Sequence, residues 1–174
     1  VIGSTGTSKA DCEEIVNYAR ESRHPVLFAP NFSVGAALMI KFAKIASKYY
    51  RWAEIIEKHH ERKLDAPSGT ATYTAEVMAR ASGGNFRSPV EGEEAVKGAR
   101  GGKVGGIRIH SVRMPGFLAD QQVIFGAPGE TLTIHHNASS RECFMPGVIL
   151  AIQKVRSLEG VTYGLENLLE EVRV

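Results

Sequence analysis

The sequence predicts a central α+β domain with a mixed, mostly antiparallel sheet, flanked at both ends by pieces of a different, parallel α/β domain. Three observations carry this reading. The first 30 or so residues run strand, helix, strand, a βαβ unit that belongs to the edge of an open α/β sheet. The stretch Ile107–Asn137 holds three strand-like runs, two of them joined by a hairpin turn. Helical patterns then return over Met145–Val155 and Leu165–Val172. A domain that leaves and returns in this way needs two crossings, near Asn31–Ser33 and near Ser139–Arg141. The expected division is therefore 1–32, 33–140 and 141–174.

Each element has a local reason. Val1–Ile2 followed by Gly3-Ser4-Thr5-Gly6 reads as a strand entering a glycine-bearing turn. Ser8 caps a helix over Lys9–Arg20, with Asp11 at its third position in a capping-box arrangement. Pro25–Ala29 is short and continuously apolar, as a strand covered on both faces requires. Ser33 caps a second helix from Val34 to Tyr49. Trp52–His59 is a strand, and Ser68–Ala81 a helix. Gly83–Gly106 is rich in glycine and charge and reads as a mobile loop with little core of its own. Ile107–Met114 alternates Ile107, Ile109 and Ser111 against Arg108, His110 and Val112. Gln121–Gly126 and Thr131–Asn137 are joined by the turn Ala127-Pro128-Gly129-Glu130. Pro146 sits in the first turn of its helix, where proline is tolerated.

Composition limits the function classes. A chain of 174 residues buries a substantial core without a disulfide or a metal. A net charge of +2 gives no reason to expect nucleic acid or a membrane surface as partner. No run of about 18 apolar residues is present, and no secretory signal pattern. Cys12 and Cys143 lie far apart and outside any CxxC pair, which suits reduced packing residues in a cytoplasmic protein. The chain opens on strand-like residues without a methionine and is expected to be a fragment of a longer protein.

The chemistry concentrates between Glu57 and Ala71, from a strand end to a helix start. Ser68 is placed as an N-cap. Its hydroxyl and the N–H groups of Gly69 and Thr70 face the same point in front of the helix, and glycine lets a ligand approach the backbone closely. With the positive end of the helix dipole, this forms an anion seat. Lys63 stands just before the turn and can place an ammonium over it. A carboxylate fits, and so does a phosphate. His59 and His60 are adjacent, so on a strand they point to opposite faces. One can exchange a proton near neutral pH while the other binds or packs. A zinc site would need a third ligand, and neither Asp65, His110, His135 nor His136 stands at a recognised metal spacing, so no metal is expected.

The run His59-His60-Glu61-Arg62-Lys63-Leu64-Asp65-Ala66-Pro67-Ser68-Gly69-Thr70-Ala71 closely resembles the signature of the 4-hydroxy-tetrahydrodipicolinate reductase family, also called dihydrodipicolinate reductase. Similar stretches extend along nearly the whole chain: Gly3-Ser4-Thr5-Gly6, Ala29–Gly35, Ile109–Arg113, and Ser140-Arg141 ahead of Phe144. The resemblance implies an enzyme of lysine (diaminopimelate) biosynthesis with two domains, a Rossmann-type domain for NADH or NADPH and a C-terminal domain for the cyclic dicarboxylate. It makes this chain the C-terminal portion, with only the last part of the nucleotide domain, because no GxGxxG is present; such a piece is expected to be inactive alone. His59 matches the family's general acid/base and Lys63 its proton donor. His60, Gly69 and Thr70 match substrate-binding positions, and Ser68 joins them by the capping argument. Gly3, Ser4, Thr5, Ala29, Pro30, Asn31 and Phe32 match positions on the nicotinamide side of the cofactor. A tetramer through the sheet of the substrate domain is also implied. The missing phosphate loop keeps a second class in view, a non-enzymatic carboxylate-binding module. A purely structural oligomerisation domain ranks behind both.

Overall fold

The structure is a computed structural model that describes residues 1–4, 8–88 and 93–169. In chain order its elements are α1 (Lys9–Ser22), β1 (Val26–Phe28), α2 (Val34–Ala46), β2 (Trp52–His59), α3 (Gly69–Ala81), β3 (Gly102–Val104), β4 (Ile107–Arg113), β5 (Ala119–Ala127), β6 (Glu130–Ala138), α4 (Met145–Lys154) and β7 (Val161–Tyr163). They form two compact units, one of Val1–Leu38 with Arg141–Val174 and one of Met39–Ser140.

In the first unit, β1 and β7 pair in parallel, Val26 opposite Val161, and Ile2 forms a parallel bridge to Phe28. Helix α1 begins with a full capping box: Asp11 N–H donates to Ser8 Oγ and Ser8 N–H donates to Asp11 Oδ2, both at 3.1 Å. Leu27, Ala29, Ala37, Ala151, Leu165 and Leu168 make the core. Helix α4 lies very close to the chain at Phe32. A Cβ added to Gly147 would come 1.8 Å from the Phe32 carbonyl oxygen, so only glycine fits there.

The second unit is a five-stranded sheet in the order β3-β4-β2-β5-β6. Only β2 and β4 run parallel; the other three pairings are antiparallel. One sheet face is covered. Met39, Ile40 and Ala43 from α2, with Ala71, Ala75 and Met78 from α3, close on Ile55, Ile107, Ile109, Val123 and Phe125. Burying each large side chain here contributes about 1.5–3 kcal/mol relative to leaving it exposed. Residues on the opposite face, among them Glu54, Ile56, Lys58 and Ile124, belong to neither core.

Several sequence expectations are corrected. The stretch expected to be a coreless loop carries strand β3, pairing Lys103 with Arg108, and buries Phe86 in the core. Strand β7 was not anticipated, because three residues are too few to show a period. The last expected helix is a short 3-10 turn, Leu165–Leu168, with residues 170–174 outside the described part. Helix α2 stops at Ala46 rather than Tyr49.

Candidate functional site

Strand β2 runs through the middle of the sheet, so its alternation decides which groups meet the helices. Ile55, Glu57 and His59 point to the covered face, and Glu54, Ile56 and Lys58 to the open one. Glu57 is wholly buried. A bare carboxylate in that position would be very costly, so the site must supply donors. Arg113, which stands beside His59 on β4, donates from Nη1 to Oε2 at 2.9 Å and from Nη2 to Oε1 at 2.8 Å. The backbone N–H of Ser68 donates to Oε1 at 3.2 Å, and His59 Nδ1 lies 2.5 Å from Oε2. Burial pushes the Glu57 carboxyl up. Hydrogen bonds from His59, Arg113 and Ser111, with the charge of Arg113, outweigh it and hold the group at about 2.

Helix α3 starts at this cluster. Ser68 is buried, and its hydroxyl accepts from Ala71 N–H at 3.2 Å. The hydroxyl thus serves the cap. Gly69 is exposed, with no atom within 4 Å of where a Cβ would sit, and its N–H, at the first helical position, has no acceptor within the helix. Behind it, Gln121 Nε2 donates to Thr74 Oγ1 at 3.0 Å, and Thr74 Oγ1 donates to the Thr70 carbonyl at 2.7 Å. This chain of bonds ties the first turn of α3 to β5.

Between strand and helix, Lys63 N–H donates to the His60 carbonyl at 3.1 Å, closing a turn. The Lys63 ammonium donates to Asp65 Oδ1 at 2.7 Å. That hydrogen bond is the main reason the Asp65 carboxyl lies below its usual range. The Asp65 carbonyl in turn accepts from Arg113 Nη2 at 2.6 Å. His60 Nδ1 is buried and finds no hydrogen-bond partner among the described residues.

Of the run His59–Thr70, His59 and Ser68 bond the buried carboxylate directly and Asp65 is tied to it through Arg113, while the Lys63 ammonium is taken up by Asp65. Glu57 and Arg113 were not among the residues singled out from sequence. A signal for Glu57 existed: an acid two residues before a histidine on a strand shares its face. None existed for Arg113, which arrives through the parallel register of β2 and β4.

In the other unit, Ile2 N–H donates to the Leu27 carbonyl at 2.8 Å and Ala29 N–H to the Ile2 carbonyl at 2.9 Å. This ladder sets Gly3 and Ser4 alongside Ala29–Phe32, at the carboxyl end of the parallel strands. A Cβ at Gly3 would meet the Phe32 ring at 2.6 Å. Asn31 Oδ1 accepts from Ser33 N–H at 2.8 Å, and Ser33 Oγ from Ala36 N–H at 3.3 Å, which fixes the start of α2. Thr5 lies outside the described residues.

A shallow depression of about 250 Å³, edged by Trp52, Glu54, Arg108 and Ile124, opens on the far face of the sheet and contains none of these groups. Among the described residues no cluster of three or more His, Cys, Asp or Glu is arranged to hold a metal. No helix there is long and apolar enough to cross a membrane.

Fold and site together define an α+β domain of the kind found at the C-terminus of dihydrodipicolinate reductase, whose family model matches residues 35–169. The chain belongs to the dihydrodipicolinate reductase family. It is 53% identical over 170 residues to 4-hydroxy-tetrahydrodipicolinate reductase of Moorella thermoacetica, covering 98% of this chain and 63% of that protein. To the enzyme of the same name from Desulfitobacterium hafniense (strain DSM 10664 / DCB-2) it is 49% identical, over 98% of this chain and 64% of that one. Among solved structures it is similar to dipicolinate-bound dihydrodipicolinate reductase from Paenisporosarcina sp. TG-14, with a TM-score of 0.82 and 42% identity over 97% of this chain and 63% of that chain. The chain thus spans a little under two thirds of the length of the relatives it matches.

Proposed function

We propose that this chain carries the dicarboxylate-binding part of a cytoplasmic NADH- or NADPH-dependent 4-hydroxy-tetrahydrodipicolinate reductase of lysine biosynthesis. The observation that carries the reading is that His59 and the Ser68 cap of α3 are both bonded to Glu57, with Gly69 exposed at the helix entrance. A negatively charged ring suits that entrance, since the amide and the helix dipole both favour an anion. The solved relative holding dipicolinate supports the same ligand class.

The unit Met39–Ser140 takes the substrate, and the unit with the parallel β1–β7 pair belongs to the Rossmann-type nucleotide domain. Gly3, Ser4, Thr5, Ala29, Pro30, Asn31 and Phe32 hold the nicotinamide side. The Gly3–Phe32 approach holds these two segments side by side, because the Phe32 ring fills the space a Cβ at Gly3 would take. When bound, NADH or NADPH supplies the hydride that adds at C4 of the substrate ring.

The chain's own residues bind, orient and move protons. Gly69, Thr70 and His60 bind the substrate carboxylates, with Ser68 shaping the seat through its cap. His59 acts as the general acid/base, and Lys63 delivers a proton to C3. The hydroxyl leaves C4 as water with a hydrogen from C3. One hydride and one proton are then added, and tetrahydrodipicolinate is formed. The protein self-associates, as a tetramer, through the open face of its five-stranded sheet.

Replacing Lys63 by Ala in the full-length protein tests the assignment. Turnover is expected to fall by about 10²–10⁴, the usual worth of a positioned proton transfer. Activity retained within about tenfold removes Lys63 from the mechanism. Calorimetry of this chain with pyridine-2,6-dicarboxylate and with inorganic phosphate separates the reductase reading from a phosphate-binding module.

A further inference from the structure

We propose that Glu57 is the positioning residue that fixes the His59 ring with its proton on Nδ1, leaving Nε2 as the atom that exchanges a proton in the reaction. The inference rests on the reading of His59 as the general acid/base. It adds the residue that makes the ring competent and names the working nitrogen.

Both oxygens of Glu57 are filled by donors. Oε1 accepts from Arg113 Nη2 and Ser68 N–H, and Oε2 from Arg113 Nη1 and His59 Nδ1. The carboxylate is ionised at any working pH, since its donors hold it at about 2. It therefore has no proton to give, and the hydrogen between Oε2 and Nδ1 belongs to the ring. A neutral imidazole protonated at Nδ1 presents a bare lone pair at Nε2. A plain structural ion pair between Glu57 and Arg113 would need neither the histidine nor the helix amide. Here one rigid carboxylate holds the ring of His59 and the capping residue of α3 together, so proton exchange and substrate seat share one reference point.

Glutamine at position 57 gives a specific test. Its amide nitrogen cannot accept a hydrogen bond. At the Oε1 position it would face the guanidinium and the Ser68 amide, neither of which can become an acceptor. At the Oε2 position it would face one donor that cannot change, Arg113 Nη1, and His59, which can become an acceptor by moving its proton, so this placement leaves one unmatched donor instead of two. The relaxed arrangement of Glu57→Gln therefore has the amide NH2 donating to Nδ1 and the ring proton on Nε2.

Nitrogen-15 spectra of histidine-labelled chain, with His59 assigned from a His59→Gln sample, report the tautomer directly. In the unaltered chain the neutral ring is expected to be protonated at Nδ1. In Glu57→Gln it is expected at Nε2, and turnover of the full-length variant should fall by about 10²–10⁴ with KM little changed. An unaltered chain with the proton on Nε2, or a variant that keeps it on Nδ1, overturns the positioning role and leaves the Lys63→Ala result standing. A variant whose tautomer inverts while turnover is unchanged overturns the proposal through its premise, because His59 is then not the acid/base. Should Glu57→Gln fail to fold, the spectrum of the unaltered chain decides alone.

Discussion

Glu57 also governs how the domain responds to acid. Its carboxyl is held at about 2 in the folded chain, against 4.5 as its ordinary value. A depressed carboxyl stabilises the fold fully above 4.5 and loses that contribution as pH falls toward about 2. At about 1.4 kcal/mol per unit, the effect is on the order of 3 kcal/mol. His136 acts in a different window: burial is the main cause of its lowered value, so its contribution is lost as pH falls below 6.5. Urea unfolding at a series of pH values separates the two. Between pH 4.5 and 2, Glu57→Gln is expected to flatten the decline, and an unchanged slope there would mean another group controls it. What was legible at this scale follows from distance along the chain. His59, His60, Lys63 and Ser68 lie within ten residues of each other, between the end of β2 and the start of α3, and that neighbourhood could be read from order alone. Glu57 and Arg113 meet across 56 residues through a strand register that no local pattern announces.

At the scale of elements, helix starts were legible because capping is local chemistry. Ser8 with Asp11, Ser68 before Gly69, and Pro146 near the start of α4 each stand where sequence placed them. Short strands were not legible. Strands β3 and β7 have three residues each and exist because a neighbour offers hydrogen bonds, β4 in one case and β1 in the other. Two substitutions probe these elements. Ser68→Ala removes the acceptor for Ala71 N–H and should cost about 1 kcal/mol, the usual worth of an N-cap. Gly147→Ala drives a methyl into the Phe32 carbonyl, so α4 must shift; overpacking of this kind costs about 1–3 kcal/mol. Thermal unfolding should rank Gly147→Ala at least as damaging as Ser68→Ala. The reverse order would show that α4 tolerates displacement at Phe32 better than its close approach implies.

For the whole molecule, the sheet order β3-β4-β2-β5-β6 is what creates a covered and an open face. Sequence alternation indicated a mixed sheet but not that β2 would slot between β4 and β5, because insertion order depends on which strands compete for its edges. On the open face Ile124 stands opposite Glu54 on one side and Thr133 on the other. This face is where self-association is proposed, and Ile124→Arg tests it cleanly. Within one chain the guanidinium gains Glu54 as a cross-strand partner, worth a few tenths of a kcal/mol to about 1, so the fold should persist. Between chains it would place an added charge inside the contact, where a charge left unpaired is costly to desolvate. Sedimentation of the full-length variant should show a smaller species than the unaltered protein, with the circular dichroism of the two superimposable. A variant of unchanged mass and unchanged spectrum would place the assembly contact elsewhere, leaving this face a solvated one whose ion pairs, His110 with Glu54 and Lys58 with Asp120, serve only the single chain.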